Sequence, residues 1–400
     1  MTIKVLHVVG GPLKYGASYG ANILHKALLE FDVRSKLLND NPIQNNDKNI
    51  IFINNDFFTK LINKIFIYSE KILKLIYINR PSETFTLGFF GFDITKLKEY
   101  KEADIIHIHW FNQGFVKLKY LSKINKPLIW TMRDMWAFTG GPHYIMGFEN
   151  YERSFISKII RKRKKNNYNK NFHFVAVSNW LKNEAKKSDV LKDYNITKID
   201  NNIEFNKFSN FNKLEAKKKL NILTDKKILL YGAQNPQSKR KGWDIFVQTL
   251  KKLDKSKYFL LIFGNFWSQK TLDGIGIEYK SLGYINSTEK LNFVYSSSDL
   301  FIATSIQDAW PKTFAEAMSC GTPVICFNNT SISEIVDHKM NGYIVNNFSS
   351  EELKKGIDWI FRDESTKLNF GQNARNKAQE FDSKKVAKKY IDLYKKVLNK

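Results

Sequence analysis

The feature that most constrains the fold is an apolar run that ends in glycines and leads into a helical pattern. Lys4–Val9 reads KVLHVV, glycines follow at positions 10, 11, 16 and 20, and Ala21–Phe31 carries apolar residues at helical spacing. Strand, glycine loop and helix in this order open a doubly wound α/β unit. The chain is therefore expected to form a parallel sheet with helices on both faces.

The same pattern restarts in the second half of the chain. Ile228–Tyr231 reads ILLY and ends at Gly232, and a helical pattern covers Ile245–Leu253. Other buried strands are predicted at Ile105–His109, Pro127–Met132, Phe174–Val177, Phe259–Phe263, Leu300–Thr304 and Pro323–Phe327, and a helix at Thr313–Ser319. We expect two Rossmann-like α/β domains, residues 1–205 and 206–400, with a ligand in the cleft where the carboxyl ends of their strands face each other. The last helix, residues 383–400, could pack back on the first domain.

The charge balance narrows the possible partners. The 400 residues carry 64 Lys and Arg against 39 Asp and Glu, a formal net charge of +25. Such a surplus attracts polyanions such as nucleic acid, anionic lipid or phosphorylated substrates. The N-terminal residues lack the features of a signal peptide, and no apolar stretch reaches the ~20 residues of a spanning helix, so a cytoplasmic location is expected. Cys320 and Cys326 stand in apolar surroundings, which favours two buried thiols over a disulfide or a metal site.

Two basic segments do not fit the sheet pattern. Phe57–Arg80 places apolar residues on one side and lysines on the other, and Phe155–Lys165 places isoleucines before a run of cations that begins at Arg161. Such helices either pack on the core with a solvated basic face or dock on an anionic membrane surface. Nucleic-acid binding is not favoured, because the basic run lacks interleaved aromatic residues and any groove-reading motif.

The stretch Ser305–Ile325 places two carboxylates around a turn and the start of a helix. Asp308 follows a predicted strand, and Glu316 lies in the first turns of a helix that begins near Thr313. Carboxylates accept hydrogen bonds from the hydroxyls of a ribose or a hexose, and the N-terminus of a helix favours an anion. Two ordinary surface acids are the alternative explanation.

A basic loop in the same half favours the ligand-binding interpretation. GAQNPQSKRKGWDIF follows a predicted strand and clusters Lys239, Arg240 and Lys241, where a diphosphate could bind. With LGYI and SIQDAWPKTFAEAMSCGTPVI, this loop resembles the donor half of family 4 glycosyltransferases, which have the two-domain GT-B architecture. Asp308 and Glu316 match their E-x7-E signature, with Asp in place of the first Glu. YGASYGANILHKALLE, ADIIHIHWFNQGF and KPLIWTMRDMWAFTGGPHY resemble a bacterial subgroup that builds capsule, exopolysaccharide or O-antigen.

The resemblance implies roles for individual residues of a donor site. Glu316 matches the residue that holds the nucleotide ribose, Asp308 the acid that contacts the sugar hydroxyls, and Lys241 the diphosphate lysine. Arg240 could replace an arginine that relatives carry where this chain has Ala233. The other implied donor-binding positions are Gly16 in the glycine loop, Tyr284 and Ile285 near the base, and Ala309, Trp310, Lys312 and Thr313 in the loop that meets sugar and phosphate.

One departure from the family pattern concerns the catalytic residues. Relatives commonly carry a histidine near the donor sugar in the segment that reads TMRD here, where this chain has Arg133. Arg133 can neutralise charge but cannot accept a hydrogen bond. His109 ends a predicted strand nearby and could either point into the cleft or be a satisfied histidine of the packing. With Asp308, these two residues are the catalytic candidates.

The resemblance implies a retaining glycosyltransferase that moves a sugar from a nucleotide-diphosphate donor, with UDP or GDP as the nucleotide, to a glycan or glycolipid acceptor in cell-surface polysaccharide synthesis. No Asp-x-Asp motif occurs, and Arg240 and Lys241 could stabilise the leaving diphosphate, so neither a metal nor another cofactor is expected. An anionic membrane is a possible partner. The alternative, motivated by Arg133, is a catalytically weak scaffold in a membrane polysaccharide-assembly complex. A phosphorylase or epimerase on the same fold is a further alternative, because fold does not fix function.

Overall fold

The computed structural model describes residues 2–14, 16–42, 47–53, 56–77, 84–148, 153–266, 273–328 and 330–399. The chain forms two compact units. Unit 1 comprises Met1–Asn202 together with Ser383–Lys400, and unit 2 comprises Ile203–Asp382. The last three residues of the predicted segment Phe57–Arg80 lie outside the described residues.

Unit 1 is built on a sheet of seven parallel strands in the order β3-β2-β1-β4-β5-β6-β7. The strands are β1 (Ile3–Val8), β2 (Val33–Asn39), β3 (Ile50–Phe52), β4 (Ile105–Ile108), β5 (Leu128–Met132), β6 (His173–Ala176) and β7 (Asn195–Lys198). The order reverses between β1 and β4, and open α/β sheets bind ligands beyond the carboxyl ends of the strands at such a switch point.

Unit 2 repeats this topology with six parallel strands in the order β10-β9-β8-β11-β12-β13. They are β8 (Lys227–Gly232), β9 (Tyr258–Phe263), β10 (Tyr279–Ser281), β11 (Leu300–Ala303), β12 (Val324–Phe327) and β13 (Gly342–Val345). The switch point here lies between β8 and β11. Both sheets are of the Rossmann type, as the sequence predicts.

The helices follow the strands as the sequence pattern requires. They are α1 (Gly16–Leu29), α2 (Phe57–Tyr77), α3 (Lys98–Glu102), α4 (Phe155–Asn167), α5 (Asn179–Lys187), α6 (Lys213–Lys219), α7 (Trp243–Lys252), α8 (Thr288–Ser297), α9 (Lys312–Ser319), α10 (Ser350–Ile360), α11 (Glu364–Ala378) and α12 (Ser383–Leu398). Several begin at a side-chain cap: Ser178, Ser287 and Ser349 each accept a hydrogen bond from a backbone N–H in the first turn of α5, α8 and α10.

Helix α12 belongs to unit 1, although the chain reaches it only after unit 2. Val386, Tyr390 and Tyr394 are buried in one core with Leu24 and Leu28 of α1.

Among the described residues, none of the helices has the length and apolar character that a membrane crossing requires.

The two basic segments differ in how they pack. In α4, Ile156 and Ile160 are buried, so this helix packs on the core. In α2, Phe58 and Ile65 are 74% and 53% exposed, so these apolar side chains do not pack on the core, which was one of the two expectations for this segment. The predicted thiols are confirmed: Cys320 and Cys326 are both free and buried.

Candidate active site

The loops that follow β8 and β11 are joined at the carboxyl edge of the unit 2 sheet. The carbonyl of Arg240 accepts a hydrogen bond of 2.7 Å from the backbone N–H of Ile306, and the carbonyl of Lys241 accepts one of 2.8 Å from the Thr304 hydroxyl. Gly242, the next residue, has φ 68°, and a Cβ there would overlap the carbonyl of Thr304. The glycine therefore permits the close approach that brings the basic loop to the carboxylate loop.

Asp308 lies buried against the two cations of the basic loop. Its Oδ2 forms an ion pair with Lys241 and another with Nη1 of Arg240 at 3.3 Å, while its Oδ1 accepts a hydrogen bond of 3.3 Å from the backbone N–H of Trp310. Burial alone would raise the pKa of Asp308, but Lys241 and Arg240 outweigh this effect and hold the pKa below its ordinary value. Asp308 is therefore ionised at neutral pH.

Glu316 lies in the second turn of α9 and is also buried. Its Oε2 accepts a hydrogen bond of 3.1 Å from the hydroxyl of Tyr295 on α8. Burial raises the pKa of Glu316, and the positive charge of Lys312 and the Tyr295 hydroxyl partly oppose that shift. A buried carboxylate of this kind favours a ligand that can donate hydrogen bonds to it.

The other predicted donor-side residues occupy the loops around this pair. Ala309 and Trp310 are buried, and the Trp310 ring contacts that of Phe381 edge-on, with ring centroids 5.1 Å apart. Lys312 and Thr313 are half-buried in the first turn of α9. Tyr284 and Ile285 follow β10, where Tyr284 is exposed and Ile285 is buried.

In unit 1, the glycine loop lies beyond β1. Gly16, the first residue of α1, has φ 64° and an open space where a Cβ would lie. The backbone N–H of Gly11 donates a hydrogen bond of 2.7 Å to Oδ1 of Asp40, and burial raises the pKa of Asp40 to about 6. Asp40 was not predicted from the sequence as part of any site.

Arg133 follows β5 at the carboxyl edge of the unit 1 sheet. Its Nη1 donates a hydrogen bond to the side-chain carbonyl of Asn201, and its Nη2 donates a long one of 3.5 Å to Nδ1 of His109. His109 Nε2 lies 2.9 Å from Nδ1 of His7. Because a guanidinium can only donate, Nδ1 of neutral His109 must accept, and His109 then donates its Nε2 proton to His7.

Both ring nitrogens of His109 are thus engaged within unit 1, and the side chain is buried. Burial, the neighbouring histidines and Arg133 lower the pKa of His109 well below its ordinary value, so the ring is neutral at neutral pH. The geometry favours contact of His109 with Arg133 rather than with a ligand.

A second polar chain connects this region to α12. His107 Nδ1 lies 2.7 Å from the Tyr394 hydroxyl, and His107 Nε2 lies 2.8 Å from the Thr131 hydroxyl. One nitrogen of His107 lies within 4.8 Å of nitrogens of His7 and His109, as in a metal site. Hydrogen bonds occupy both ring nitrogens of His107 and of His109, while Nε2 of His7 has no partner in the described structure, and the nearby Arg133 cation would repel a metal ion.

Four residues that contact predicted site residues were not themselves predicted from the sequence. Tyr295 contacts Glu316, and His7 contacts His109. Asn201 contacts Arg133, and Thr304 contacts Lys241. His7 pairs in register with His107 across β1 and β4, a relation that only the sheet topology provides. Gly242 had a sequence signal, since a glycine after a basic loop and before a helix is typical of a left-handed turn.

The chain is similar to glycosyltransferases in part of its sequence and in its fold. Residues 212–377 match the family model described as Glycosyl transferases group 1. An uncharacterized glycosyltransferase of Haemophilus influenzae is 27% identical over 46% of this chain and 52% of its own length. The N,N'-diacetylbacillosaminyl-diphospho-undecaprenol alpha-1,3-N-acetylgalactosaminyltransferase of Campylobacter jejuni is 24% identical over 40% of this chain and 42% of its own length. The chain thus spans about half the length of these two relatives.

The fold comparison covers nearly the whole chain. The crystal structure of Anabaena HepE in complex with UDP and glucose has a TM-score of 0.63 at 16% identity, over 98% of this chain and 100% of that chain. Its similarity extends over both units and supports the fold alone. The match to the group 1 glycosyltransferase family thus falls on residues 212–377, and the fold of the chain is that of its GT-B structural neighbours.

Proposed function

We propose that this protein is a glycosyltransferase that moves a sugar from a nucleoside diphosphate to a lipid-linked saccharide in cell-surface polysaccharide synthesis, with retention of configuration and without a metal. The observation that carries the proposal is the buried pair Asp308 and Glu316 on the two sides of the start of α9, with Arg240 and Lys241 at Asp308. In this proposal, unit 2 binds the donor and unit 1 binds the acceptor.

Glu316 binds the ribose in this proposal. Its carboxylate accepts hydrogen bonds from ribose hydroxyls, and the Tyr295 hydroxyl fixes its orientation from behind. Tyr284 and Ile285, on the loop after β10, bind the base. UDP is the nucleotide favoured by the HepE structure, which holds UDP in a protein of the same fold.

Arg240, Lys241 and the N-terminus of α9 stabilise the charge that develops on the leaving diphosphate. Both cations lie close to Asp308, which holds them in position before the donor binds. Preorganised cations of this kind supply on the order of 3 kcal/mol of transition-state stabilisation each. Asp308 contacts the hydroxyls of the transferred sugar.

Helix α2 supports a membrane location for the acceptor. Its inward side carries Asn63 and Glu70, and the Glu70 carboxylate accepts hydrogen bonds of 3.0 and 2.7 Å from the backbone N–H groups of Leu87 and Phe89. The inward side also carries the partly buried Phe66, which packs on Phe92, and Leu73, which packs on a buried apolar cluster. The outward side is largely apolar as well, whereas an ordinary surface helix exposes a polar side.

The outward side of α2 has the composition of an interfacial helix. Exposed apolar residues cover an arc of about 140° on the helical wheel, and a row of lysines borders that arc on one side. The apolar residues are Phe57, Phe58, Leu61, Ile62, Ile65, Tyr68, Ile72 and Leu75, and the lysines are Lys60, Lys64 and Lys71. Apolar burial combined with attraction to anionic headgroups is how such helices bind a bilayer. The Campylobacter relative, whose name specifies an undecaprenol-linked acceptor, supports the same location.

The test is a transfer assay. The full chain is incubated in EDTA with UDP- and GDP-sugars and with undecaprenyl-diphosphate-linked N-acetylglucosamine, and the anomeric configuration of the product is read by NMR. We expect retention, and loss of transfer in Asp308→Asn but not in Asp244→Asn, an exposed acid of α7. Inversion, or a requirement for added Mg²⁺, would contradict the mechanism. Nucleotide binding without transfer of any sugar would favour the scaffold alternative.

A further inference from the structure

We propose that Arg133 forms an oxyanion-binding subsite in unit 1, which takes a carboxylate or phosphate group of a substrate. The inference rests on the proposed function for the identity of that substrate, which is the donor or the acceptor of the sugar transfer. The subsite itself follows from the contacts of Arg133.

The charge of Arg133 is not balanced within the part of the chain that the structure describes. The groups that receive its hydrogen bonds, the Asn201 amide and the His109 ring, are both neutral. No described carboxylate forms an ion pair with it. The adjacent Asp134 is engaged elsewhere, because its Oδ2 lies 2.7 Å from His143 Nδ1 and its Oδ1 accepts a hydrogen bond of 2.9 Å from the backbone N–H of Trp136.

Arg133 also retains an unused donor. Its Nε is shielded from solvent and has no hydrogen-bond partner in the described structure. Burial lowers the pKa of Arg133 to about 10, which still leaves the guanidinium charged at neutral pH. Arg133 as a whole is half-buried, but a shielded N–H without a partner is destabilising, so the unused Nε donor points to a ligand that satisfies it.

The surroundings of Arg133 hold the guanidinium rather than neutralise it. His7 accepts a hydrogen bond from the Nε2–H group of His109. The lone pair on Nδ1 of His109 is therefore directed at Arg133. Gly20 of α1 provides space, because a Cβ at that position would overlap the guanidinium. The positioning residues are thus His109, His7 and Asn201. The planar guanidinium of Arg133 that they hold can donate two parallel hydrogen bonds to an oxyanion.

The first arm of the test uses calorimetric titration of the full chain with UDP, UDP-glucose and UDP-glucuronate. Wild type is compared with Arg133→Met, Arg133→Lys and the control Arg34→Met, an exposed arginine on β2. A loss of about tenfold or more in Arg133→Met for UDP-glucuronate alone assigns the oxyanion to a sugar carboxylate. An equal loss for all three ligands assigns it to the diphosphate.

The second arm does not depend on the donor site. The ¹⁵N resonance of Arg133 Nε, assigned through Arg133→Lys, is followed while inorganic phosphate is added, with sodium chloride as the ionic-strength control. A saturable shift with phosphate supports the subsite even if nucleotide affinities are unchanged, and then assigns the oxyanion to the acceptor. If wild type binds no nucleotide, the donor-site proposal fails and this titration alone decides the subsite. Unchanged nucleotide affinities together with a phosphate response equal to that of chloride would overturn it.

Discussion

The hydroxyl of Tyr295 donates a hydrogen bond of 3.1 Å to Oε2 of Glu316, and both side chains are buried in unit 2. Burial, with the nearby charge of Glu316, raises the pKa of Tyr295 well above its ordinary value, so the hydroxyl keeps its proton. The bond therefore stabilises the ionised form of the carboxylate that we propose as the ribose ligand. Several properties of the protein depend on this pair.

Tyr295→Phe should weaken UDP binding about tenfold at neutral pH, because the carboxylate loses the donor that orients it and favours its charge. The affinity for UDP should decrease as pH falls through the raised pKa of Glu316. The midpoint of this decrease should lie at higher pH in the variant than in wild type. Calorimetry between about pH 5 and about pH 8 measures both effects. Tyr258→Phe, which alters a buried tyrosine at the start of β9, is the control. Identical pH profiles in Tyr295→Phe and wild type would rule out this role of the hydroxyl.

Glu316→Gln should abolish nucleotide binding yet raise the melting temperature of the free protein by about 2–4 °C at neutral pH, because the interior no longer holds a charge. The sign follows from linkage: the pKa of Glu316 is raised in the folded state, so wild type gains stability as pH falls and loses it as pH rises through that pKa. The advantage of the variant should therefore shrink in acid. Thermal denaturation at several pH values measures this difference, and a lower melting temperature at every pH would contradict the prediction.

Gly242→Ala should destabilise the fold by at least about 2 kcal/mol and weaken nucleotide binding, because the position has φ 68° and its Cβ would overlap the Thr304 carbonyl. Gly274→Ala is the matched control, since a Cβ there meets open space. Urea denaturation and UDP titration of both variants test the prediction. Equal stability of the two would mean that the basic loop and the carboxylate loop are not locked at Gly242.

The double substitution Phe58→Ser and Ile65→Ser should reduce binding to phosphatidylglycerol-containing vesicles at least about tenfold, because two apolar side chains no longer enter the bilayer. Wild-type binding should weaken with salt and on pure phosphatidylcholine. The control is Leu223→Ser with Met340→Ser, two exposed apolar residues of unit 2. Vesicle co-sedimentation measures the bound fraction. If both double variants bind as wild type does, α2 is not the membrane contact.

The central strands could be predicted from the sequence because they are buried on both faces and read as apolar runs. Each predicted strand is present, displaced by one residue at most at either end. Five described strands were missed. Of these, β2 (VRSKLLN), β7 (NITK) and β10 (YKS) carry polar residues, whereas β3 (IIF) and β13 (GYIV) are short, largely apolar strands at the edges of their sheets. Helix α2 was predicted as amphipathic, but no sequence pattern indicated that Asn63 and Glu70 face inward. That orientation depends on the backbone N–H groups of the segment after α2.

The residues of the site also divide into those that the sequence predicts and those that it does not. Asp308, Glu316, Arg240 and Lys241 stand in local motifs, and the fold places Arg240 and Lys241 beside Asp308. Their supporting residues come from distant parts of the chain: His7 meets His109 across 102 positions. Contacts of this kind follow from strand order and register, which spacing along one sequence does not contain.

The most direct test of the account is calorimetric titration of wild type and Glu316→Ala with UDP and with GDP, in the presence of EDTA. The account predicts that wild type binds one nucleotide with micromolar affinity without a metal, and that a folded Glu316→Ala protein does not bind it. Absence of binding to folded wild type, or undiminished binding to Glu316→Ala, would contradict the assignment of the donor site to unit 2.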